Sequence, residues 1–207
     1  MREQFVEMPY LKNTIAEPWD LPRPWYGGAL EFVQKHMETA QGKCLVIGSP
    51  ISEARWLADQ GWEVVYVDVR EPPTKIGRFV QADASSLPFG DGEFDGASST
   101  CVLTHVGLGR YGDPGVEDGD IRALKEIARC LKSGAKATIM FGACFDGAGV
   151  YRIGEAHRVY SIREVLSMLE AAGLEALDVA TWPWGAEVTQ EPDARHENYV
   201  TALVQKC

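Results

Sequence analysis

The chain has 207 residues, of which 45% are hydrophobic and 24% are charged, and its formal net charge is −10. This length and composition are typical of one globular domain with a sizeable core, and they exclude a mostly disordered chain. The acidic balance argues against a broad nucleic-acid-binding surface, because such surfaces depend on Lys and Arg that neutralise phosphates.

The sequence also gives no sign of membrane or secretory targeting. No apolar run approaches the roughly 18 residues of a membrane span, and the N-terminal stretch lacks the apolar core and cleavage pattern of a signal peptide. The five cysteines form no C-x-x-C pair, which favours free thiols in a reducing compartment. We therefore expect a cytoplasmic protein with neither a membrane nor a nucleic acid as its partner.

The elements predicted along the chain alternate between helices and short apolar strands. Residues 1–26 are rich in Pro and Trp, which predicts an irregular N-terminal extension. The predicted elements then follow in this order: a helix in GALEFVQKHMETA, a strand in KCLVIGS, a helix in SEARWLADQG, strands in EVVYVDV, RFVQADA and FDGASST, a helix in DIRALKEIARCLKSG, a strand in KATIMFGA, a helix in SIREVLSMLEAAG, and strands in LEALDVATW and NYVTALVQK. Asp118 or Asp120 is expected to cap the third of these helices, and Ser161 the fourth.

This alternation predicts an α/β fold with a mostly parallel sheet covered by helices on both faces. The last two strands have no helical pattern between them, so we expect them to pair antiparallel at one edge. The fold class is therefore a Rossmann-like sheet of seven strands with an antiparallel edge strand. No repeat, low-complexity tract or clear linker interrupts the sequence, so residues 1–207 are expected to form a single domain.

A ligand site is expected where the first two strands end. Gly48 follows the first strand, and Asp68 ends the second one twenty residues later. A carboxylate at that position can accept hydrogen bonds from both ribose hydroxyls of a nucleoside. However, Pro50 and Ser52 stand where a dinucleotide fingerprint has two further glycines, and Pro50 lacks the backbone N–H that a pyrophosphate needs. A nicotinamide dinucleotide is therefore disfavoured, and a nucleoside without phosphates is favoured.

Six segments in this order resemble the class I S-adenosylmethionine-dependent methyltransferases. They are CLVIGS, VVYVDVR, QADASSLPF, EFDGASSTCVLTHV, EIARCLKSGAKATIMF and YSIREVLSMLEAAGL, and the resemblance covers residues 43–182. The longer pattern HVGLGRYGDP with AHRVYS resembles an uncharacterised subgroup of that superfamily. The resemblance implies S-adenosylmethionine as the cofactor.

The resemblance also assigns cofactor roles residue by residue. Gly48 lets the cofactor lie against the backbone, Asp68 holds the ribose, and Val69 packs on the adenine. Asp83 accepts a hydrogen bond from the adenine amino group, the backbone of Ala84 meets the ring edge, and Ser99 contacts the methionine end. The alternative for Gly48 is a simple chain reversal, and the alternative for each acid is a helix or turn cap.

The loop after the fourth strand is expected to lie over the transferred methyl group. His105 and Asp113 are the candidate bases that would accept a proton from a hydroxyl acceptor; alternatively, His105 packs in the turn and Asp113 caps the turn at Pro114. Arg110 and Tyr111 are candidate substrate contacts; alternatively, the Arg110 side chain packs over a buried Tyr111 ring. His157 and Arg158 are expected to close the pocket from the other side.

Four acids in that loop, at positions 113, 117, 118 and 120, offer oxygen ligands for Mg²⁺ or Ca²⁺. Their spacing fits no standard metal-binding loop, and acids are common at helix starts, so no metal is expected.

The sequence therefore predicts a single methyltransferase-like domain that methylates a small polar metabolite, which is either sugar-like or anionic. The alternative is a non-catalytic protein of the same fold that scaffolds a partner enzyme. The altered glycine loop is the reason to retain this alternative. The oligomeric state is left undetermined.

Overall fold

The computed structural model describes residues 3–6, 24–39, 42–144, 150–153, 157–183 and 197–207. The strands and helices are β1 (Glu3–Val6), α1 (Pro24–Met37), β2 (Lys43–Ile47), α2 (Ile51–Asp59), β3 (Glu63–Asp68), β4 (Arg78–Gln81), β5 (Phe94–Thr100), α3 (Gly119–Cys130), β6 (Leu131–Cys144), β7 (Val150–Ile153), β8 (His157–Ser161), α4 (Ile162–Ala171), β9 (Leu174–Pro183) and β10 (Glu197–Lys206).

Seven of these strands form the predicted sheet, in the order β4-β3-β2-β5-β6-β10-β9. The five from β4 to β6 pair parallel to one another. β10 runs antiparallel to both β6 and β9, so the antiparallel pair lies at one edge. The seven-stranded, mostly parallel sheet is therefore confirmed. Parallel neighbours need a crossover connection, and helices supply such connections here.

Three further strands extend this sheet, and the sequence patterns did not reveal them. Ala143 and Cys144 of β6 pair with β10 on one side and with β8 on the other, so β8 lies on the same edge of β6 as β5, beyond the end of β5. β7 pairs with β8, and β1 pairs with β7. β1 and the start of α1 at Pro24 both lie inside the segment that was expected to be irregular. β1 was missed because a four-residue strand that pairs with a distant strand leaves no local signal.

The two faces of the sheet bury separate cores, as period-two alternation requires. Leu45, Ile47, Val65 and Val67 point to the face covered by α3 and α4. Their sequence neighbours Cys44, Val46, Val64 and Tyr66 point to the face covered by α1 and α2. Both faces are apolar at the central strands, so the only polar surfaces of these strands are at their ends, where ligands of such sheets bind.

The ends of two helices test the predicted caps. Ser161 caps α4 as expected, since its Oγ accepts from the backbone N–H of Glu164 at 3.2 Å. Asp120, one of the two candidates for α3, accepts from the backbone N–H of Ile121 at 2.9 Å with its Oδ1, whereas Asp118 occupies the N-cap position without a side-chain cap bond. Its carboxylate instead accepts from Arg122 Nε at 2.8 Å. α3 also ends earlier than its periodicity suggested, because Leu131 already pairs with Phe94 in the sheet.

Within the described ranges, no helix has the length and apolar character needed to cross a bilayer. The four cysteines whose side chains are described, Cys44, Cys101, Cys130 and Cys207, are free thiols.

Candidate active site

The site lies at the edge of the sheet where four parallel strands end together. β2 is central, with β3 on one side and β5 on the other, and the order of the strands along the chain reverses between them. This reversal opens a crevice beyond the carboxyl ends of the strands. Gly48, Asp68 and Thr100 mark the ends of β2, β3 and β5 at this crevice, and Asp83 follows the end of β4. The strand order therefore brings together the residues predicted to bind a nucleoside.

Gly48 fits the role predicted for it, because no other residue is accommodated there without strain. Its φ is +51°, and a Cβ at this position would lie 3.0 Å from Val102 Cγ2 and 3.5 Å from Asp68 Oδ2. Its N–H donates to the carbonyl of Val67 at 2.7 Å, which ties the end of β2 to β3. Glycine thus keeps the backbone bare beside the Asp68 carboxylate.

Asp68 is held rigidly, and its exposed fraction is only 8%. Its Oδ1 accepts from the backbone N–H of Arg70 at 2.8 Å, and the Nε of Arg70 lies 3.4 Å from the same oxygen. Burial raises the pKa of this carboxyl above its usual range, and the contacts with Arg70 oppose that rise. Oδ2 is the oxygen that faces Gly48. One oxygen is therefore fixed by Arg70, while the other lies toward the strand end.

The altered glycine loop is stabilised by a buried polar network that sequence reasoning missed. Glu53, in the first turn of α2, is 2% exposed and accepts from Ser98 Oγ and Thr100 Oγ1, each at 2.6 Å. Burial raises the pKa of this carboxyl, and the hydroxyl donors oppose the rise. Ser49 Oγ accepts from the backbone N–H of Thr100 at 2.9 Å. These hydrogen bonds thus join the loop at Pro50 to the neighbouring strand β5.

The remaining residues predicted to bind the cofactor line the same edge. Asp83 Oδ1 accepts from the backbone N–H of Ser85 at 2.8 Å, so this carboxylate orders the turn after β4. Ala84 is buried beside it, and Val69 is half-buried, with its carbonyl accepting from Gln81 Nε2 at 2.9 Å. Ser99 is 1% exposed, and its Oγ has no hydrogen-bond partner among the described residues. A buried hydroxyl without a partner is costly, which favours a ligand group beside it.

Asp113 organises the loop between β5 and α3. Its Oδ2 accepts from the backbone N–H groups of Gly107 at 2.7 Å and Gly109 at 3.3 Å, and its Oδ1 accepts from that of Tyr111 at 3.3 Å. Gly107, at φ +80°, is required by close packing, since a Cβ there would lie 2.2 Å from the carbonyl oxygen of Val116. The carboxylate predicted as a base therefore already accepts three amides of its own loop.

Arg158 lies beneath this loop rather than on an open surface. Its side chain is fully buried, and it donates from Nη1 to the carbonyl of Val106 at 2.6 Å and from Nη2 to that of Glu117 at 3.1 Å. Its Nε lies 3.9 Å from Oδ2 of the equally buried Asp120, which also accepts from the hydroxyl of Tyr160 at 2.8 Å. The residue predicted to contact substrate thus joins both ends of the loop to β8.

The other predicted substrate residues form a cluster at the surface of the loop. The Tyr111 ring lies 4.2 Å from Cζ of Arg70 and 5.1 Å from Cζ of Arg110. The His105 ring packs edge-on against Tyr111, with 5.5 Å between centroids, and lies 6.0 Å from the His157 ring. We call these five residues, Arg70, His105, Arg110, Tyr111 and His157, the cationic cluster. Arg70 places it directly beside Asp68.

The contact between Arg110 and His105 assigns a tautomer to the imidazole. Arg110 Nη1 lies 3.5 Å from His105 Nδ1. A guanidinium can only donate, so Nδ1 is the acceptor, and the proton of the neutral ring lies on Nε2. His105 can therefore accept a proton through Nδ1 only after Arg110 has moved away from it.

Three of the four acids of the loop point to separate partners. Asp113 accepts backbone amides, Asp118 accepts from Arg122, and Asp120 is buried against Tyr160. Among the described residues, no group of three or more His, Cys, Asp or Glu side chains is placed to hold a metal ion.

Comparison with known proteins agrees with this architecture. Residues 47–139 match the family model of a methyltransferase domain, and no curated protein matches the sequence. The 1,6-didemethyltoxoflavin-N1-methyltransferase of Burkholderia thailandensis, solved with bound 1,6-didemethyltoxoflavin and S-adenosylhomocysteine, is 21% identical, with a TM-score of 0.65; the match covers 87% of this chain and 77% of that one. This likeness shows that the chain has the fold of that methyltransferase.

Two further structures show how widely this fold is used. An S-adenosylmethionine-dependent methyltransferase from Mesorhizobium loti is 16% identical, with a TM-score of 0.59, and the match covers 86% of this chain and 96% of that one. The 4+2 cyclase SpnF is 18% identical, with a TM-score of 0.66, and the match covers 86% of this chain and 80% of that one. A methyltransferase and a cyclase thus share the fold, so the reaction of this protein has to be argued from its site.

Glu53, Ser49 and Arg70 are the site residues that sequence reasoning missed. A signal was present for Glu53, since an acid in the first turn of the helix after the glycine loop faces the hydroxyl-rich strand end SST. A signal was also present for Arg70, two residues after the predicted ribose-binding acid. Neither signal says which side chain it would meet. Glu53 contacts Ser98 and Arg70 contacts Tyr111, and both of these partners are distant in sequence.

Proposed function

We propose that this protein is an S-adenosylmethionine-dependent methyltransferase that acts on a small polar metabolite. The observation that supports it best is the geometry of Asp68, a buried carboxylate with one oxygen fixed by Arg70 and the other facing the bare backbone of Gly48. Two adjacent ribose hydroxyls need an ionised acceptor of this kind at a strand end. The solved Burkholderia relative with bound S-adenosylhomocysteine supports the same choice of cofactor.

The residues present fit a nucleoside with an amino-acid tail. Asp68 holds the ribose, Val69 packs against the adenine, and Asp83 and Ala84 meet the edge of the ring. Ser99 supplies its unsatisfied hydroxyl to the methionine end. When bound, S-adenosylmethionine supplies a methyl group on a sulfonium that needs no proton to leave. The task of the chain is then to orient the acceptor and, for a hydroxyl acceptor, to take its proton.

The loop between β5 and α3 supplies the acceptor side of the proposed site. Arg110, Tyr111 and His157 bind the acceptor, and His105 is the general base that accepts its proton at Nδ1. Asp113, the second base predicted from the sequence, serves in this proposal as the residue that keeps the loop folded, because its oxygens are bonded to three amides. Arg158 supports the same loop from its buried side and does not contact the acceptor.

Removing the Asp68 carboxylate tests the cofactor site. The Asp68→Ala variant is expected to bind S-adenosylhomocysteine at least about 10-fold more weakly, because it loses two charge-assisted hydrogen bonds, and tenfold corresponds to about 1.4 kcal/mol. Calorimetric titration measures the change. Asp59→Ala, which removes an exposed acid at the end of α2, is the matched control and should bind like the wild type. Equal affinity of Asp68→Ala and the wild type would show that Asp68 does not hold the ribose.

A transfer assay separates the enzyme from the scaffold alternative. The protein is incubated with methyl-labelled S-adenosylmethionine and a metabolite extract, and label is expected in a small-molecule product. Asp68→Ala should reduce this label in proportion to its lost affinity. Tight binding of the cofactor with no transfer, across extracts from several growth conditions, would favour a scaffold of the same fold.

The affinity for S-adenosylhomocysteine should depend on pH through Asp68. Only the ionised carboxylate accepts two hydrogen bonds, so affinity is present at neutral pH and is lost as pH falls through the pKa of Asp68. Burial raises this pKa above its usual range, and so the loss should begin at a higher pH than for an ordinary aspartate, whose pKa is about 3.9. Titrations from pH 7 to pH 4 measure it. Asp68→Asn should bind weakly and lack this pH dependence; an Asn variant that retains the wild-type profile would assign the titration to another group.

A further inference from the structure

We propose that the buried carboxylate of Glu53 acts on the charge of the cofactor sulfur, so that it strengthens the binding of S-adenosylmethionine relative to that of S-adenosylhomocysteine. Glu53 would do so through its electric field, without touching either nucleoside. This inference rests on the proposed cofactor and deepens it, because it adds a residue that distinguishes the methyl donor from its product.

The carboxylate of Glu53 lies at the strand ends that form the crevice. Its Oε2 is 2.6 Å from Oγ1 of Thr100, the last residue of β5. Ser49, which follows Gly48 in the loop after β2, accepts from the backbone N–H of the same Thr100. A single hydroxyl group therefore separates the carboxylate from the edge of the sheet at which the cofactor is proposed to bind.

The hydrogen bonds of Glu53 are typical of an ionised carboxylate. Ser98 Oγ donates to its Oε1 and Thr100 Oγ1 donates to its Oε2, each at 2.6 Å, which is the usual length of a hydroxyl bond to a charged oxygen. Thr138 Oγ1 lies 2.9 Å from Ser98 Oγ and can donate to it, while the Ser98 proton is directed to Glu53. Burial raises the pKa of Glu53, and the hydroxyl bonds oppose that rise. A chain of hydroxyl groups thus stabilises the charge in place of water.

The two buried acids of the crevice differ in their countercharges. Arg70 Nε lies 3.4 Å from Oδ1 of Asp68. Among the residues that the structure describes, no Lys or Arg side chain forms an ion pair with Glu53, and both of its oxygens are bonded to hydroxyls. A buried charge without a countercharge is costly. A cation bound in the crevice would reduce that cost, whereas an anion such as a pyrophosphate would increase it.

The sulfur is the atom of the proposed cofactor at which the charge changes. It is a positive sulfonium before the transfer, and it becomes a neutral thioether afterwards because the electron pair of the broken C–S bond stays on it. A fixed carboxylate therefore attracts the methyl donor and loses that attraction once the methyl group has left. Since the positive charge of the sulfur already decreases in the transition state, Glu53 would assist binding and exchange of the cofactor rather than the chemical step.

Replacing Glu53 by Gln removes the charge and keeps the size of the side chain. In calorimetric titrations, we expect S-adenosylmethionine to bind at least about 5-fold more weakly to Glu53→Gln, and S-adenosylhomocysteine to change by less than about 2-fold. Glu170→Gln makes the same substitution at an exposed position of α4, so it is the matched control and should bind both ligands like the wild type. An equal change in affinity for the two ligands would overturn the proposal.

A second variant keeps the test available if Glu53→Gln does not fold. Glu53→Met combined with Ser98→Ala and Thr100→Val replaces the carboxylate and its two donors by apolar groups of similar size, which leaves none of these polar atoms buried without a partner. The ratio of the two affinities should shift in the same direction as in Glu53→Gln. An unchanged ratio in this folded variant would also contradict the proposal.

Methylthioadenosine separates the sulfur from the amino-acid tail, because its sulfur is neutral and it lacks the tail. We expect it to keep its wild-type affinity in Glu53→Gln. If S-adenosylmethionine and S-adenosylhomocysteine weaken equally while methylthioadenosine does not, Glu53 acts on the ammonium group of the tail and the proposal is wrong. If all three weaken equally and the melting temperature falls, Glu53 only holds the altered glycine loop. Failure of the wild type to bind any of the three nucleosides would instead contradict the proposed cofactor itself.

Discussion

Replacing Arg158 by Met is expected to lower the free energy of unfolding by about 3–5 kcal/mol, the usual cost of removing one partner of a buried charge pair. The substitution leaves Asp120 buried without its cation at 3.9 Å, and it leaves the carbonyls of Val106 and Glu117 without donors. For a chain of this length the melting temperature should fall by about 6–20 °C. Chemical denaturation and thermal melting measure the effect.

Two further variants show whether the loss comes from the buried pair. Arg163→Met makes the same chemical change at an exposed position of α4 and should stay within about 0.5 kcal/mol of the wild type. Combining Arg158→Met with Asp120→Asn removes the stranded charge, so the double variant should be less destabilised than the sum of the two single variants. A loss below about 1 kcal/mol for Arg158→Met would mean that β8 and water compensate for the lost contacts.

Replacing His105 by Ala is expected to reduce turnover about 10²- to 10⁴-fold on a hydroxyl acceptor, which is the usual contribution of a general base. The acceptor identified by label transfer is used, and kcat and KM are measured separately. The fold and the affinity for S-adenosylhomocysteine should be preserved, since the described bonds of Gly48, Asp68 and Ser99 do not involve His105. The loss should shrink for acceptors with more acidic hydroxyls, which need less help to release a proton.

The matched control for His105 is His36→Ala. His36 lies on α1 and contacts Asp178 at 3.0 Å, so its loss should leave turnover unchanged. If the melting temperature and the cofactor affinity of His105→Ala fall together instead, then His105 packs the loop and is not a base. An unchanged rate with an amine acceptor would support the base assignment further, because a neutral amine needs no proton removed before the transfer.

The positions of Gly48 and Asp68 at the ends of two neighbouring strands were predicted by the sequence, because their signals are local. A strand that ends in glycine and a second strand that ends in an acid follow from short apolar runs and their boundaries. Parallel pairing then places Gly48 and Asp68 side by side without further information. The exact partners of Asp68 were not predicted, since the position of the Arg70 side chain over Tyr111 depends on a loop that comes forty residues later.

For the proposed acceptor side, the sequence named candidate residues but not their positions in the fold. The sequence named His105, Arg110, Tyr111, Asp113, His157 and Arg158 without indicating which of them are buried. Arg158 and Asp113 bind the loop, whereas His105, Arg110 and Tyr111 lie together on its half-buried surface. Four of the five residues of β8 are buried, and a sequence of five residues does not show that Arg158 is among them.

By itself, the sequence determined the order of the helices and of the seven strands from β2 to β6 and from β9 to β10, the parallel sheet, and which residues stand at the ends of its strands. These features depend on hydrophobic periodicity and on residues that begin and end elements, which act over a few residues. Only the tertiary structure decided that β8 lies beyond the end of β5, that Glu53 stabilises the altered glycine loop, and that Arg70 packs over Tyr111. Each of these contacts links segments far apart in the chain, and their pairing is fixed by packing of the whole sheet rather than by any local preference.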